Sequence, residues 1–559
     1  MRIFKLILKW ILPQGFENQL KLIKEKYFPY KYKKDWNYQP LFLSTHDLPF
    51  FKTLKGNPFL VSLNRETRPA VKFVGSILLE FEIDKKDIDN YLQLGIGTRS
   101  NKTRINVIFH QKDNIVGKID NLNKQSWTDI RIPINKKNIC LSIKANKGIE
   151  IFFSHPIVVK KRRVTKYNNK NIICIILDGL NQSHLLPGLK SITPKINGFF
   201  LDGVFCTQAF SQSDWTLPTF SSMLSSAYPI KHGVYNPDEN DSTLPDQYPT
   251  IPELLLKHGY RTFGYSSHSR FSPSYGHSIG FERFLYRQRN DFDYYTQIVT
   301  ETVSHLEAHK NDNNFIFIHL FDTHAPYYPY SYLHNSSMNR NRNYQAYQLA
   351  KTNGFNDYLE YLTDLGQAKL KEVDLALDQL FSYCKKQDWY DSAYFILTAD
   401  HGLPYRLKGM DLLSESRVNI PLCVRGPNID KNINHSLIEG NVDLLPSILK
   451  LIKFDCPLEI DGKIWSFIGG EKKDKVLTES LYRNNYHLSI RTESHCYFYN
   501  APFDHLKRKI SKEKAEKIRI YQRINGKDII DNTKTNIDQY QKNRIEDYIN
   551  NHIKANVKH

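Results

Sequence analysis

Ile172-Ile-Cys-Ile-Ile-Leu177 is a wholly apolar run that ends directly on Asp178-Gly179. Two later stretches repeat the arrangement. Phe315-Ile-Phe-Ile318 leads through His319-Leu-Phe into Asp322-Thr-His324-Ala-Pro326, and Tyr394-Phe-Ile-Leu397 leads into Thr398-Ala-Asp400-His401-Gly402. Short apolar runs set between segments of helical periodicity read as buried parallel strands of an α/β sheet. In such a sheet ligands bind beyond the carboxyl ends of the strands, where side chains and loop amides converge. One Asp-Gly after a strand is an ordinary turn, but three strands ending on Asp or Asp/His read as a shared metal site. Carboxylate oxygens from Asp178 and Asp400 with the His401 imidazole suit one divalent ion. The ligand set does not choose among Ca²⁺, Mn²⁺, Mg²⁺ and Zn²⁺.

A cation at that edge would activate a hydroxyl, which is otherwise a weak nucleophile. Ser213-Asp-Trp-Thr216-Leu-Pro218-Thr219-Phe-Ser-Ser-Met-Leu224 supplies one. Pro218 belongs in a first helical turn and Thr216 falls near the N-cap, where free backbone amides meet a bound anion. Taken alone, the same position reads better as a threonine that only caps its helix.

Outward from these strands the texture changes. Ser76–Ile83, Tyr91–Ile96, Arg104–Phe109, Asp129–Ile134, Ile139–Ile143 and Ile149–Phe153 alternate apolar with polar, separated by Asn, Gly and Lys turns. That pattern predicts an antiparallel β-sandwich ahead of the α/β part. Periodicity predicts helices over Thr250–His258 and Tyr358–Cys384, and a charged helical stretch from about 505 carrying Lys507, Lys509, Lys512, Lys514 and Lys517.

The chain has 559 residues, 40% hydrophobic and 24% charged. That length asks for several domains, and the composition excludes wholesale disorder. No apolar run reaches the roughly 18 residues that cross a bilayer. Seven scattered cysteines without a C-x-x-C pair make neither a disulfide framework nor a zinc ribbon. Lys and Arg (77) outnumber Asp and Glu (58), for a formal charge of +19. The excess suits an anionic partner, and a base composition favouring Lys, Asn and Ile explains it without one. The lysines are dispersed and no nucleic-acid module is present, which argues against nucleic acid. Residues 1–34 combine an amphipathic start with basic residues. They read as a peripheral membrane contact or as a helix docked on the protein itself. Lys5 and Lys9 interrupt the apolar stretch and Pro13-Gln-Gly is no cleavage site, so no export signal is recognised. The expected location is cytoplasmic or at the cytoplasmic membrane face.

With these motifs in hand the chain resembles the sulfatase-like branch of the alkaline phosphatase superfamily, over roughly 171 to 550. The resemblance rests on Asp178, Trp215-Thr216-Leu-Pro-Thr-Phe, Tyr228-Pro-Ile-Lys-His232-Gly, Gly259-Tyr-Arg-Thr262, Gly280-Phe-Glu-Arg-Phe284, Asp322-Thr-His-Ala-Pro326, Thr398-Ala-Asp-His-Gly402, Arg417-Val-Asn-Ile-Pro421 and Asn441-Val-Asp443, in the family's order. It implies an alkaline-phosphatase-like, mixed and mostly parallel sheet flanked by helices. It places Asp178, Asp400, His401 and Thr216 on the metal, Thr216 as nucleophile, and His324 on the transferred group or the leaving oxygen. Asp322 orients His324 or binds metal. The expected organisation is a basic segment over 1–39, a β-sandwich over 40–165, a sulfatase-like catalytic domain over 166–470, and a C-terminal subdomain with a charged helical tail over 471–559.

Several family features differ here. Sulfatases of this branch carry Cys-x-Pro-Ser-Arg, whose cysteine becomes formylglycine. This chain has Thr216-Leu-Pro-Thr219-Phe220, without that arginine. One Asp ends the first strand where many sulfatases have two. Ser266-Ser-His268-Ser-Arg270 replaces the Gly-Lys-Trp-His stretch, so His268 and Arg270 are candidates for substrate charge. A threonine nucleophile resembles the superfamily's phosphodiesterases and its phosphoethanolamine or phosphoglycerol transferases. The expectation is metal-dependent phosphoryl transfer or phosphodiester hydrolysis on an anionic ester, of a surface polysaccharide or lipid-linked substrate. A sulfuric ester hydrolase without formylglycine, and a non-catalytic binding protein on the same scaffold, are the alternatives.

Overall fold

The computed structural model describes residues 37–43 and 59–556 apart from 64–65, 84–89, 101–104, 112–113, 121, 123–124, 155–156, 160–170, 186–191, 236–242, 246, 287–293, 325–354, 404–410, 457–458, 483, 506–507 and 530–538. The basic segment 1–34 and the Ala-Pro that follows His324 lie outside the described residues. Two compact units are present. One holds residues 1–165 with 253–260 and 279–287; the other holds 166–252, 261–278 and 288–559.

The smaller unit contains the expected sandwich. Its first sheet orders β1 (Asn37–Leu43), β4 (Ile77–Ile83), β9 (Asn138–Lys144), β6 (Asn106–Gln111) and β7 (Asn114–Ile119) side by side. The second runs β11 (Ile157–Val159), β5 (Tyr91–Gly97), β10 (Glu150–Ser154), β3 (Glu66–Val74), with β2 (Phe59–Leu63) on β3 and β8 (Trp127–Pro133) on β5. Leu79, Val107, Phe109 and Leu141 of one sheet share a buried core with Phe73, Leu94, Ile96 and Phe153 of the other, as aligned sandwiches require. One pairing departs from the antiparallel pattern: β1 lies parallel to β4.

The larger unit is built on a mostly parallel sheet. From one side it runs β14 (Arg261–Ser266), β16 (Asn314–Leu320), β12 (Ile172–Leu177), β17 (Tyr394–Thr398), β18 (Asn419–Arg425), β13 (Val204–Phe210) and β19 (Asn432–Asn434). The first four are parallel, and β18 alone runs against its neighbours. All six residues of β12 are buried, which is why they carry no polar side chain. Register sets Ile176 opposite both His319 and Thr398, so the three polar strand ends finish level with one another.

From 471 onward the expectation needs correcting. Among its described residues the lysine-rich stretch forms no continuous helix: it holds a short strand, Lys509–Ile510, and a single 3-10 turn, Lys512–Lys514. A hairpin of Lys475–Tyr482 and Asn485–Thr492 continues through His495–Asp504, Arg519–Ile524 and Lys527–Ile529 as an antiparallel sheet. Helix follows only at Gln539–Asn556, where Ile549 and Ile553 pack on that sheet. Local propensity loses here because strand 495–504 pairs with Lys509–Ile510 and then with residues 519–522, burying Ile510 and partly covering Ile518 and Ile520. All seven cysteines are free, and six of them are buried.

Two buried histidines brace the helix Thr216–Ser225 (α1). His232 Nδ1 accepts from the Val234 amide at 3.0 Å, so its Nε2 carries the hydrogen and donates to the Pro218 carbonyl at 3.2 Å. His277 Nε2 lies 2.9 Å from Ser221 Oγ. Burial pushes both rings down to about 3; the Arg508 charge adds to this at His232, and His232 and His319 add to it at His277. The unfolded chain takes up a proton at each as pH falls through about 6.5, and the folded chain does so only near 3. Stability is therefore complete above pH 6.5 and is lost on acidification, by roughly 1.5 kcal/mol per histidine between pH 6.5 and 5. Urea unfolding from pH 7 to 5 should show this decline. His232→Asn should flatten it by about one proton; an unchanged slope would refute the buried neutral ring.

Candidate active site

Asp178 follows β12 directly. Its amide donates to the Leu320 carbonyl at 3.0 Å and its own carbonyl accepts from Thr323 Oγ1 at 2.7 Å. Asp400 stands two residues beyond β17. Its Oδ1 accepts from the Gly179 amide at 3.0 Å and from the His401 amide at 2.8 Å, while Oδ2 is buried with no hydrogen-bond partner. Both aspartates are fully buried.

His401 is the hub of the cluster. Its Nε2 lies 3.6 Å from Asp178 Oδ1, 3.5 Å from Asp400 Oδ2 and 3.5 Å from Thr216 Oγ1. These legs put the threonine hydroxyl no more than about 7 Å from each carboxylate, whereas ligands held at about 2.0–2.6 Å by one cation lie within about 5 Å of one another. His401 Nδ1 is 3.0 Å from the Gly402 carbonyl, which only accepts. The ring hydrogen therefore sits on Nδ1, and the Nε2 lone pair faces the carboxylates, as metal-ligating histidines are arranged. Gly402 is required in this turn: a Cβ there would come 2.4 Å from the Ser416 carbonyl oxygen and 2.8 Å from the Arg417 carbonyl carbon.

Thr216 is the first helical residue of α1. The cap itself is Trp215, in extended conformation, so Thr216 lies next to it, near the N-cap as expected. Other hydroxyls of this helix bond back to the preceding turn, Thr219 to Trp215 O at 2.8 Å and Ser221 to Leu217 O at 3.1 Å. The Thr216 hydroxyl turns instead to His401. No arginine stands two residues after Pro218, where the family motif has one, but Arg417 reaches the loop before Thr216. Arg417 Nη2 donates to Asp214 Oδ2 at 2.7 Å and to its carbonyl at 3.2 Å, with both residues nearly buried. The Gly402 amide donates to the Arg417 carbonyl at 2.7 Å, so this one residue ties the Thr216 loop to the His401 loop. Removing either partner would strand a buried charge.

The remaining candidates divide. His324 ends the short turn Phe321–Thr323, and its ring stands edge-on to that of His401 at 5.9 Å. His268 stacks on Phe321 at 4.1 Å and places Nδ1 3.9 Å from Asp178 Oδ2. Asp322 sits 3.4 Å from the nearly buried Lys369 ammonium. Arg270 donates to the Tyr275 hydroxyl at 2.9 Å and is not brought into the cluster. His319 escaped the sequence reading as a site residue. It is fully buried, 2.9 Å from Asp178 Oδ2, and burial pushes it down to about 4 against the pull of Asp400 and Asp322. Its signal was a lone imidazole in the otherwise apolar interior of β16.

Two groups of three side chains hold their ligand atoms within 4.8 Å of one another: Asp178, His324 and His401, and Asp178, His319 and Asp400. The expected trio is thus divided between two overlapping sets that share Asp178. The donors fit a divalent cation. Two carboxylates with no exposure, one carrying an orphaned oxygen, are costly without a positive charge between them.

The profile of the Sulfatase family matches residues 170–454, more than half of the chain. The chain belongs to the Sulfatase family. Among its relatives is the extracellular sulfatase SULF-1 homolog of Drosophila melanogaster, 24% identical over 346 residues, 52% of this chain and 30% of that protein. The human N-acetylglucosamine-6-sulfatase is 22% identical over 353 residues, 52% of this chain and 63% of the relative. The chain thus spans less than two thirds of either relative. In fold it is similar to the phosphonate monoester hydrolase of Silicibacter pomeroyi, with a TM-score of 0.51 at 15% identity, over 70% of this chain and 96% of that one. The mixed, mostly parallel architecture that the resemblance implied is therefore present. The expected cytoplasmic location is overturned, because the Drosophila relative is by name an extracellular sulfatase. Among the described residues no helix is long and apolar enough to cross a membrane.

Proposed function

We propose that the chain is a metal-dependent hydrolase or transferase of anionic esters in which Thr216 is the nucleophile. The observation that carries this is the convergence of Thr216 Oγ1, Asp178 Oδ1 and Asp400 Oδ2 on His401 Nε2 at 3.5–3.6 Å. Asp178, Asp400, His401 and the Thr216 oxygen would hold one divalent ion. Bound there, the ion would supply charge neutralisation for a threonine alkoxide and for the transferred group. The Thr216 hydroxyl gives its proton to solvent and its oxygen attacks the phosphoryl centre in line, forming a phospho-threonine as the P–O bond to the leaving group breaks, while His324 gives a proton to the leaving oxygen. Backbone amides of the first turn of α1 face the developing negative charge. His268, stacked on Phe321 with Nδ1 3.9 Å from Asp178 Oδ2, would contact an equatorial oxygen of the transferred group. Water or a sugar hydroxyl then accepts the group.

Phosphodiesters are the preferred substrate class, because an unmodified threonine stands where the formylglycine precursor would. The sulfatase relatives support a second reading, hydrolysis of a sulfuric ester by the same hydroxyl. Turnover of an aryl phosphodiester and an aryl sulfate, measured side by side with Mn²⁺ and with Ca²⁺, separates the two. The diester should be the faster substrate, and mass spectrometry of quenched protein should find the phosphoryl group on the Thr216 peptide. Faster sulfate turnover would move the assignment to a sulfatase.

A further inference from the structure

We infer that His319 is the positioning residue for the Asp178 carboxylate, holding Oδ2 so that Oδ1 is presented to the cation site; this rests on the metal reading proposed above. His319 Nε2 and Asp178 Oδ2 are 2.9 Å apart, and neither side chain is exposed. An ionised carboxylate oxygen only accepts, so Nε2 carries the ring hydrogen and donates it. Nδ1 is buried with no hydrogen-bond partner, which leaves this single acceptor to choose the tautomer.

The ring is held by packing as well as by its hydrogen bond. Phe220 meets it edge-on at 4.7 Å and Phe271 at 5.6 Å. Register along β16 and β12 sets His319 opposite Ile176, two residues before the aspartate. The imidazole therefore cannot swing away without displacing the helix that carries Thr216, since Phe220 belongs to that helix. With Oδ2 engaged, Oδ1 is the oxygen left on the His401 side, 3.6 Å from its Nε2. Outer hydrogen bonds of this kind fix ligand orientation, and their loss typically weakens metal binding by about 10–100-fold.

The test measures Mn²⁺ and Ca²⁺ affinity by calorimetry on the full chain for wild type, His319→Gln and His319→Leu. Glutamine offers an amide hydrogen near the Nε2 position; leucine fills the space without a donor. The glutamine variant should bind within about threefold of wild type, and the leucine variant about 10–100-fold more weakly, with melting of the ion-free proteins matched. Undiminished affinity in the leucine variant would refute the positioning role. Equal losses in both variants would show that His319 is itself a ligand and would refute it as well. A wild-type chain that takes up neither ion sinks the metal reading, and this inference with it. If the leucine variant does not fold, ¹⁵N-histidine spectra of the ion-loaded wild type decide. They should show a neutral Nε2–H tautomer for His319, and a Nε2 without hydrogen would overturn the assignment.

Discussion

Thr216→Ala should lower ester turnover by about 10⁴-fold or more while leaving the fold intact, because it removes the one atom that forms the covalent bond. The structural cost is small. The hydroxyl makes a single contact with His401, at the outer limit of a hydrogen bond (3.5 Å), and the helix cap is Trp215 rather than Thr216. Losing that hydroxyl should change stability by about 1 kcal/mol or less. Thr216→Ser keeps the oxygen and should retain turnover within about a hundredfold, the loss reflecting a freer rotamer without the γ-methyl. Initial rates on an aryl phosphodiester, with thermal melts of the three proteins, make the comparison. An alanine variant that turns over at the wild-type rate would remove Thr216 from the chemistry.

Asp400→Asn should abolish the ion's effect without damaging the ion-free protein. Asparagine Oδ1 can still accept from the Gly179 and His401 amides, the two bonds that shape this turn. What disappears is a buried negative charge whose other oxygen has no hydrogen-bond partner. The ion-free variant should therefore melt at or above the wild-type temperature, since two carboxylates no longer face each other across His401. Wild type at an ion concentration of 100 times Kd should gain about 2.7 kcal/mol. The variant should gain nothing measurable, and its turnover should match that of chelator-treated wild type. An ion-induced shift of equal size in both proteins would place the cation elsewhere.

The three strands and their acidic ends were readable because a fully buried strand is mostly apolar, with charged side chains appearing only where it leaves the sheet. Ile172–Leu177 and Tyr394–Thr398 show this directly. The sandwich was equally readable, since alternation along Trp127–Pro133 follows the faces of a half-buried strand. Segment 507–517 was misread as helix for the converse reason. Its lysines satisfy helical propensity, but Lys509 and Ile510 pair with the end of the neighbouring strand 495–504 and Ile510 is buried, which leaves only one 3-10 turn at 512–514. The Asp214–Arg417 pair was hidden by distance: two unremarkable charged residues 203 positions apart.

What the sequence by itself determined was which segments must be buried, and hence that Asp178, Asp400 and His401 emerge at the carboxyl edge of one sheet. Apolar patterning is local, and water enforces it residue by residue. Only the tertiary structure decided which of these polar groups share a space. The Gly179 amide meets Asp400 Oδ1 across 221 residues, and His319 meets Asp178 across 141. Strand order and register set those distances, and no local preference along the chain encodes them.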